Sequence, residues 1–231
     1  MASNARLFQG LVWRCVTAET TKPRSKLVAS PADYLTLTDM LSQVAADLPS
    51  SIKPFDRRIQ RSFENGPWLL QASRFRPARG GGVFYAALDT KTALAEQGWH
   101  RRNFAQDYSP SQPVAPMPLE VFSVTISGRF VDVDDEVFAK SRGALLDKTD
   151  YSASRRFSLD ASSAGLDGVL YPSVRLSPAG RCVAVLRIEA ITSPAPVGVT
   201  SRWRFSFADG VGQFFEDQTA GLGASFSHEY L

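Results

Sequence analysis

Cysteine and histidine are scarce, at two each in 231 residues. The two cysteines, Cys15 and Cys182, exclude a disulfide-stapled secreted scaffold and an all-cysteine zinc centre. With only His100 and His228 beside them, no conventional Cys/His metal site is expected. Charge of one sign is also lacking. Lys and Arg total 26 against 23 Asp and Glu, a net charge of +3. That excess is too small for a strongly polyanion-driven binder, so direct nucleic-acid binding is not expected. Long apolar runs are missing: nothing approaches the ~20 apolar residues of a membrane helix. The opening MASNARLFQGLVWRCV is broken by Arg14 before it reaches signal-peptide length. A soluble cytoplasmic protein with no membrane partner is expected, its cysteines reduced and buried in strands. What the chain does have is an ordinary globular balance, 44% hydrophobic and 21% charged.

Strand and helix signals alternate along the chain. Residues 10–16 cluster β-branched and aromatic side chains and predict a strand. Ser30, Pro31 and Asp33 form a helix start, and Tyr34, Leu37, Leu41, Val44 and Leu48 follow at helical spacing, predicting a helix over 31–48. Residues 53–79 carry Arg57, Arg58, Arg61, Arg74, Arg76 and Arg79, by default a solvated face. A strand at 83–88 leads to a helix at 90–100, capped by Asp89 or Thr90. Pro110, Pro113, Pro116 and Pro118 predict an irregular connector over 107–118. A long strand at 119–131 puts Phe122, Val124 and Ile126 on one face. Helices are predicted at 134–146 and 151–164, and strands at 168–174, 182–191 and 201–208. The last stretch, 209–227, is Gly-rich and weakly patterned. No internal repeat appears, and this order suggests a single α+β domain over residues 1–231.

Familiar nucleotide and hydrolase motifs are absent. There is no Gly-Lys-Ser/Thr phosphate loop and no Gly-x-Ser-x-Gly elbow. Gly80-Gly81-Gly82 precedes a strand, so it is no dinucleotide fingerprint. Two segments nevertheless set polar residues in apolar surroundings. The first runs from Ser73 through Arg74, Phe75, Arg76 and Tyr85 into Ala93-Leu94-Ala95-Glu96 and Trp99-His100. The second is Asp167-Gly168-Val169-Leu170-Tyr171-Pro172-Ser173-Val174-Arg175. Taken singly, Glu96 reads as a solvated helix carboxylate, Arg74 as a surface arginine, Tyr85 as a core tyrosine and Ser173 as a turn serine. Trp13, Trp68, Trp99 and Trp203 read as core.

Together, in this order, the segments resemble the RES domain family, named for its Arg, Glu and Ser. Its first signature is a Gly-Gly-Arg-Trp-Asn-like run, then Val-Tyr-x-Ala, then a helix with Ala-Leu-Ala, a Glu and a His one turn on. Its second is Asp-Gly-Leu-x-x-Pro-Ser-x-Arg. Arg74 takes the Arg position, Phe75 the Trp, Tyr85 the Tyr, Glu96 the Glu, His100 the His and Ser173 the Ser. Leu11-Val12-Trp13-Arg14 resembles the family's first strand, so the likeness runs from about 10 to 190. The glycines before Arg74 are missing and Arg76 replaces the Asn. Arg74 and Arg76 therefore both stand as the functional arginine, with Arg74 favoured on its distance from Tyr85. The stretch at about 17–70 looks like an insertion, and 209–231 a Gly-rich tail.

The resemblance implies an ADP-ribosyltransferase-like fold, with twisted mixed β-sheets flanked by helices. It implies a toxin that destroys NAD by phosphorolysis or hydrolysis and is neutralised by a small helical antitoxin. NAD would then be a substrate, inorganic phosphate a second one, and no cofactor or metal is implied. The expected catalytic set is Arg74, Tyr85, Glu96 and Ser173, with Arg76 and His100 added for NAD binding. The residue chemistry suits this. Nicotinamide leaves as a neutral molecule, and positive charge develops on the ribose as in glycoside cleavage. Glu96 would stabilise that cation, and Arg74 would grip the pyrophosphate. Tyr85 would stack on nicotinamide or bond the ribose, and Ser173 would bond substrate or position Glu96. Arg14 and Arg175 are open to phosphate contacts. Two alternatives stand beside this one: transfer of ADP-ribose to a protein or small molecule, and a non-catalytic module whose arginines at 57–79 bind an acidic partner.

Overall fold

The computed structural model describes residues 2–18, 30, 33, 49–64, 71–108, 114–176, 178, 180–217 and 223–230. Two long strands form its backbone. β1 (Arg6–Thr17) pairs antiparallel with β3 (Val114–Asp132) in unbroken register from Arg6↔Phe130 to Thr17↔Leu119. Strand alternation sorts the side chains of β3 onto two faces. Phe122, Val124, Ile126 and Phe130 join one buried cluster, as the alternation predicted. Leu119, Val121 and Val131 join a second cluster on the other face.

Between these strands in sequence lie α1 (Arg57–Gln60), β2 (Phe84–Ala87) and α2 (Thr90–Tyr108). After them come α3 (Arg142–Leu145), α4 (Ser152–Ser163), β4 (Gly168–Pro172), β5 (Arg181–Val185), β6 (Val197–Ala208), β7 (Val211–Glu216) and β8 (Ser225–Glu229). The strand order is β1-β2-β5-β4-β3-β6-β7-β8, and β1 also pairs with β3. The first five therefore close into a ring, from which β6–β8 extend as an antiparallel wing. The sheet is mixed, since β3 and β4 run parallel. α2 packs on β1, β2, β3 and β5. Its start is fixed by Asp89, which accepts from the Thr92 amide at 2.8 Å and the Thr92 hydroxyl at 2.6 Å.

Several sequence expectations change. α2 continues to Tyr108 rather than ending near 100. Pro116 and Pro118, expected in a connector, lie in β3; Pro116 falls within a register shift against β6, which tolerates its missing donor. Pro118 still supplies a carbonyl, accepting from Ala18 N at 3.0 Å. β1 begins at Arg6 instead of residue 10. The helix expected over 134–146 is a 3-10 turn at Glu136–Phe138 and the short α3, separated by a turn at 139–141 that ends on Ser141, a poor helix former. β5 stops at Val185: Leu186 N still bonds Asp167 O at 2.8 Å, but the Asp167 amide goes to Arg129 O at 2.9 Å and ends the ladder. The stretch from 209 is not unpatterned: it holds β7 and β8. Asp209 and Gly210 both have positive φ, the signature of a two-residue hairpin joining Ala208 to Val211. Of the helix predicted at 31–48, only Asp33 is described. Its amide bonds the Ser30 hydroxyl at 3.1 Å, as a helix start requires. The remainder lies outside the described residues, as does Trp68. Both cysteines are buried in strands and unbridged. Among the described residues, no helix is long and apolar enough to cross a membrane.

Candidate active site

α2, the ends of β1, β2 and β5, and the loop before β2 enclose a cleft of about 520 Å³. That volume is within the range of small-molecule sites. Arg74, Arg76, Tyr85, Glu96 and His100 all line it. Glu96 projects from the second turn of α2 and is the one carboxylate among the described lining residues.

Ser173 stands behind Glu96, 2% exposed, at the residue after β4. Its hydroxyl accepts from Arg175 N at 3.2 Å and Leu176 N at 3.0 Å. With both lone pairs engaged, its proton points to Glu96 Oε1 at 2.6 Å. Gly180 makes this turn possible. A Cβ there would lie 2.9 Å from Ser173 Cβ and 2.8 Å from Leu176 O. Cys182 adds a weak bond to the same oxygen at 3.7 Å, its thiol kept protonated by burial.

The Tyr85 hydroxyl accepts from Phe75 N at 3.0 Å and hydrogen-bonds Ser73 Oγ at 2.8 Å. Burial raises its pKa, so it stays protonated. It thus holds the Ser73–Arg76 turn, within which Arg74 is 8% exposed. Arg74 Nη1 bonds Leu145 O at 3.2 Å, and its guanidinium lies 4.5 Å above the Tyr151 ring. Its Nη2 is buried without any hydrogen-bond partner among the described residues. An unsatisfied buried cationic donor is costly and suits an anionic ligand. Arg76 is more open and donates to Gln71 O at 3.2 Å.

Other walls were not foreseen. Trp99 and Trp13, expected in the core, line the cleft, whereas Trp203 is buried at 6% exposure. The Arg175 guanidinium stacks 3.3 Å from the Trp99 ring centre and bonds Tyr151 Oη at 3.2 Å. Tyr151 thereby serves two arginines, and its position before α4 gave no sequence signal. Arg14 reaches back to Tyr85 O at 2.9 Å, and burial pushes its pKa down to about 10. His100 has an exposed edge at the cleft mouth. The protein packed around it, then Arg175, Arg101 and Arg74, lower its pKa and keep it neutral at pH 7. Elsewhere the arginine-rich stretch is tied to acids: Arg57 pairs with Glu64, and Arg58 with Asp56 and Glu120.

An anion-seeking cleft with one oriented carboxylate, set on a ring of mixed strands, defines a class of site rather than a protein. The RES domain family matches residues 51–208, more than half of the chain. The chain belongs to the RES domain family. The match begins past β1, so Leu11-Val12-Trp13-Arg14 stands outside it. A chain in the crystal structure of the M. tuberculosis MbcT–MbcA toxin–antitoxin complex shares the fold, with TM-score 0.52 and 10% identity over 86% of each chain. No curated protein sequence matches.

Proposed function

We propose that the chain is an enzyme that cleaves the nicotinamide–ribose bond of NAD, acting in the cytoplasm as the toxin of a toxin–antitoxin pair. The observation that carries this is a single cleft. It holds a Glu96 carboxylate fixed at 2.6 Å by buried Ser173, and an Arg74 Nη2 with no partner. Family membership and the likeness to the toxin–antitoxin complex support it. The same reading takes the chain as one domain of the ADP-ribosyltransferase-like kind with a helical antitoxin partner.

Arg74 Nη2 takes a pyrophosphate oxygen. The glycosidic C–N bond breaks with its electron pair going to the nicotinamide ring nitrogen, so a cationic pyridinium leaves as neutral nicotinamide. The ribose becomes an oxocarbenium ion. The Glu96 carboxylate, oriented by Ser173, faces that charge and stabilises it. Phosphate or water then adds to the ribose carbon. Phosphate brings its own anionic oxygen, whereas an attacking water must give up a proton, for which Glu96 is the available base.

Incubation of purified chain, free of any partner, with NAD, with and without inorganic phosphate, tests this. Nicotinamide release is expected. A phosphorylated ADP-ribose product assigns a phosphorylase, free ADP-ribose a glycohydrolase, and ADP-ribose on an acceptor a transferase. Absence of nicotinamide release contradicts the proposal.

A further inference from the structure

Two hydrogen bonds reach the Glu96–Ser173 pair from the far end of the chain. Tyr230 Oη donates to Ala95 O at 2.9 Å, the carbonyl just before Glu96. His228 Nε2 lies 2.6 Å from the carbonyl of Arg175, two residues past Ser173. A carbonyl only accepts, so Nε2–H is the donor. Both residues lie on or directly after β8, beyond residue 208 where the family match ends.

The contact is built rather than incidental. Tyr230 is 6% exposed and fills a slot between α2 and β7 walled by two glycines. A Cβ at Gly98 would strike its hydroxyl, and one at Gly212 would lie 2.6 Å from its ring. Burial raises its pKa and keeps the donor proton in place. The His228 ring meets Tyr230 edge-on at 4.6 Å. Phe226, on the same strand, stacks on Phe214 at 4.4 Å, with the ammonium of Lys91 5.5 Å away from α2.

We propose that the C-terminal strand is a clamp that sets Glu96 against Ser173. Tyr230 fixes the α2 backbone at Glu96. His228 fixes the turn whose Arg175 and Leu176 amides hold the Ser173 hydroxyl. Neither residue lines the cleft, so both are positioning residues. One strand holding both halves keeps the carboxylate oriented without touching substrate, and misplacement by ~1 Å can cost about 100-fold in rate. The kinetic consequence rests on the NAD chemistry proposed above, while the clamp itself rests on geometry alone.

Three full-length variants test it: His228→Leu, His228→Gln and Tyr230→Phe. A glutamine amide can replace Nε2–H, and leucine cannot. His228→Leu and Tyr230→Phe are expected to lower kcat for nicotinamide release about tenfold or more. KM should stay within about twofold, and His228→Gln should recover most of the rate. Hydrogen exchange at the Arg175 and Leu176 amides should quicken about tenfold in His228→Leu and return toward wild type in His228→Gln. Exchange needs no turnover. If the wild type fails to cleave NAD, the proposed function falls, and exchange still decides the clamp. Unchanged exchange in His228→Leu with unchanged kcat in Tyr230→Phe overturns it, as does equal loss in the Leu and Gln variants. Tyr230→Phe keeps the ring in its slot and serves if His228→Leu does not fold.

Discussion

Ser173 gives its one proton to Glu96 at 2.6 Å and accepts two backbone amides in return. Ser173→Ala removes the donor and leaves the Arg175 and Leu176 amides without their acceptor. Its expected effect is a fall in kcat of about 10- to 100-fold with little change in KM, read by nicotinamide release at saturating NAD. Resemblance to the RES signature at Asp167-Gly168 and Pro172-Ser173-Val174-Arg175 singles out Ser173. Whether its hydroxyl faces substrate or Glu96 was not legible, because that depends on how the β4 end meets α2. Tyr85 shows the same limit: that its hydroxyl holds the Arg74 turn depends on contacts the spacing does not carry. Tyr151 and the Trp99–Arg175 stack left no local pattern, since their partners lie dozens of residues away in sequence.

α1 is only four residues long, too short to persist without anchoring. Asp56 provides the anchor: its carboxylate accepts from the Arg58 amide at 2.9 Å and from the Arg58 guanidinium at 2.8 Å. This places Ile59, fully buried, in the core. The Arg58 side-chain bond is the main reason that the Asp56 pKa lies below its ordinary 3.8. A depressed carboxylate pKa stabilises the fold above the unfolded value and stops doing so as pH falls through the folded one. Asp56→Ala is therefore expected to cost about 1 kcal/mol at neutral pH. The difference from wild type should shrink as pH falls below about 4. Urea unfolding at a series of pH values measures both. Among the elements, those with their own signals were legible: β2, the start of α2 at Asp89, and α4. β7 and β8 were not, although Asp209-Gly210 is a strong turn signal and the strand before it, β6, was expected at 201–208. These two strands alternate polar and apolar residues too sparsely to stand out from a Gly-rich stretch.

At the scale of the whole molecule, β1 closes the strand ring and supplies Trp13, Arg14 and Cys15 to the cleft wall. The family match covers neither β1 nor β7–β8. A chain cut to residues 51–208 would expose the edge of β3 that β1 covers and the edge of β6 that β7 covers. It is expected to lose cooperative unfolding and fixed side-chain signals in amide and methyl NMR spectra. A truncated chain as sharply folded as the full one would show that ring closure is dispensable. Arg14, Arg74, Arg76 and Arg175 line one cleft in which Glu96 is the one carboxylate among the described lining residues. That asymmetry is what the proposed chemistry uses.

Glu96→Gln tests the central claim most directly. Glutamine keeps the shape and can still accept the Ser173 proton, but it carries no charge to face an oxocarbenium ion. With folding checked by circular dichroism and NAD affinity by calorimetry, the account predicts binding within a few-fold of wild type. Nicotinamide release should be slowed by about 100- to 1,000-fold. A folded Gln variant that releases nicotinamide at the wild-type rate would contradict it.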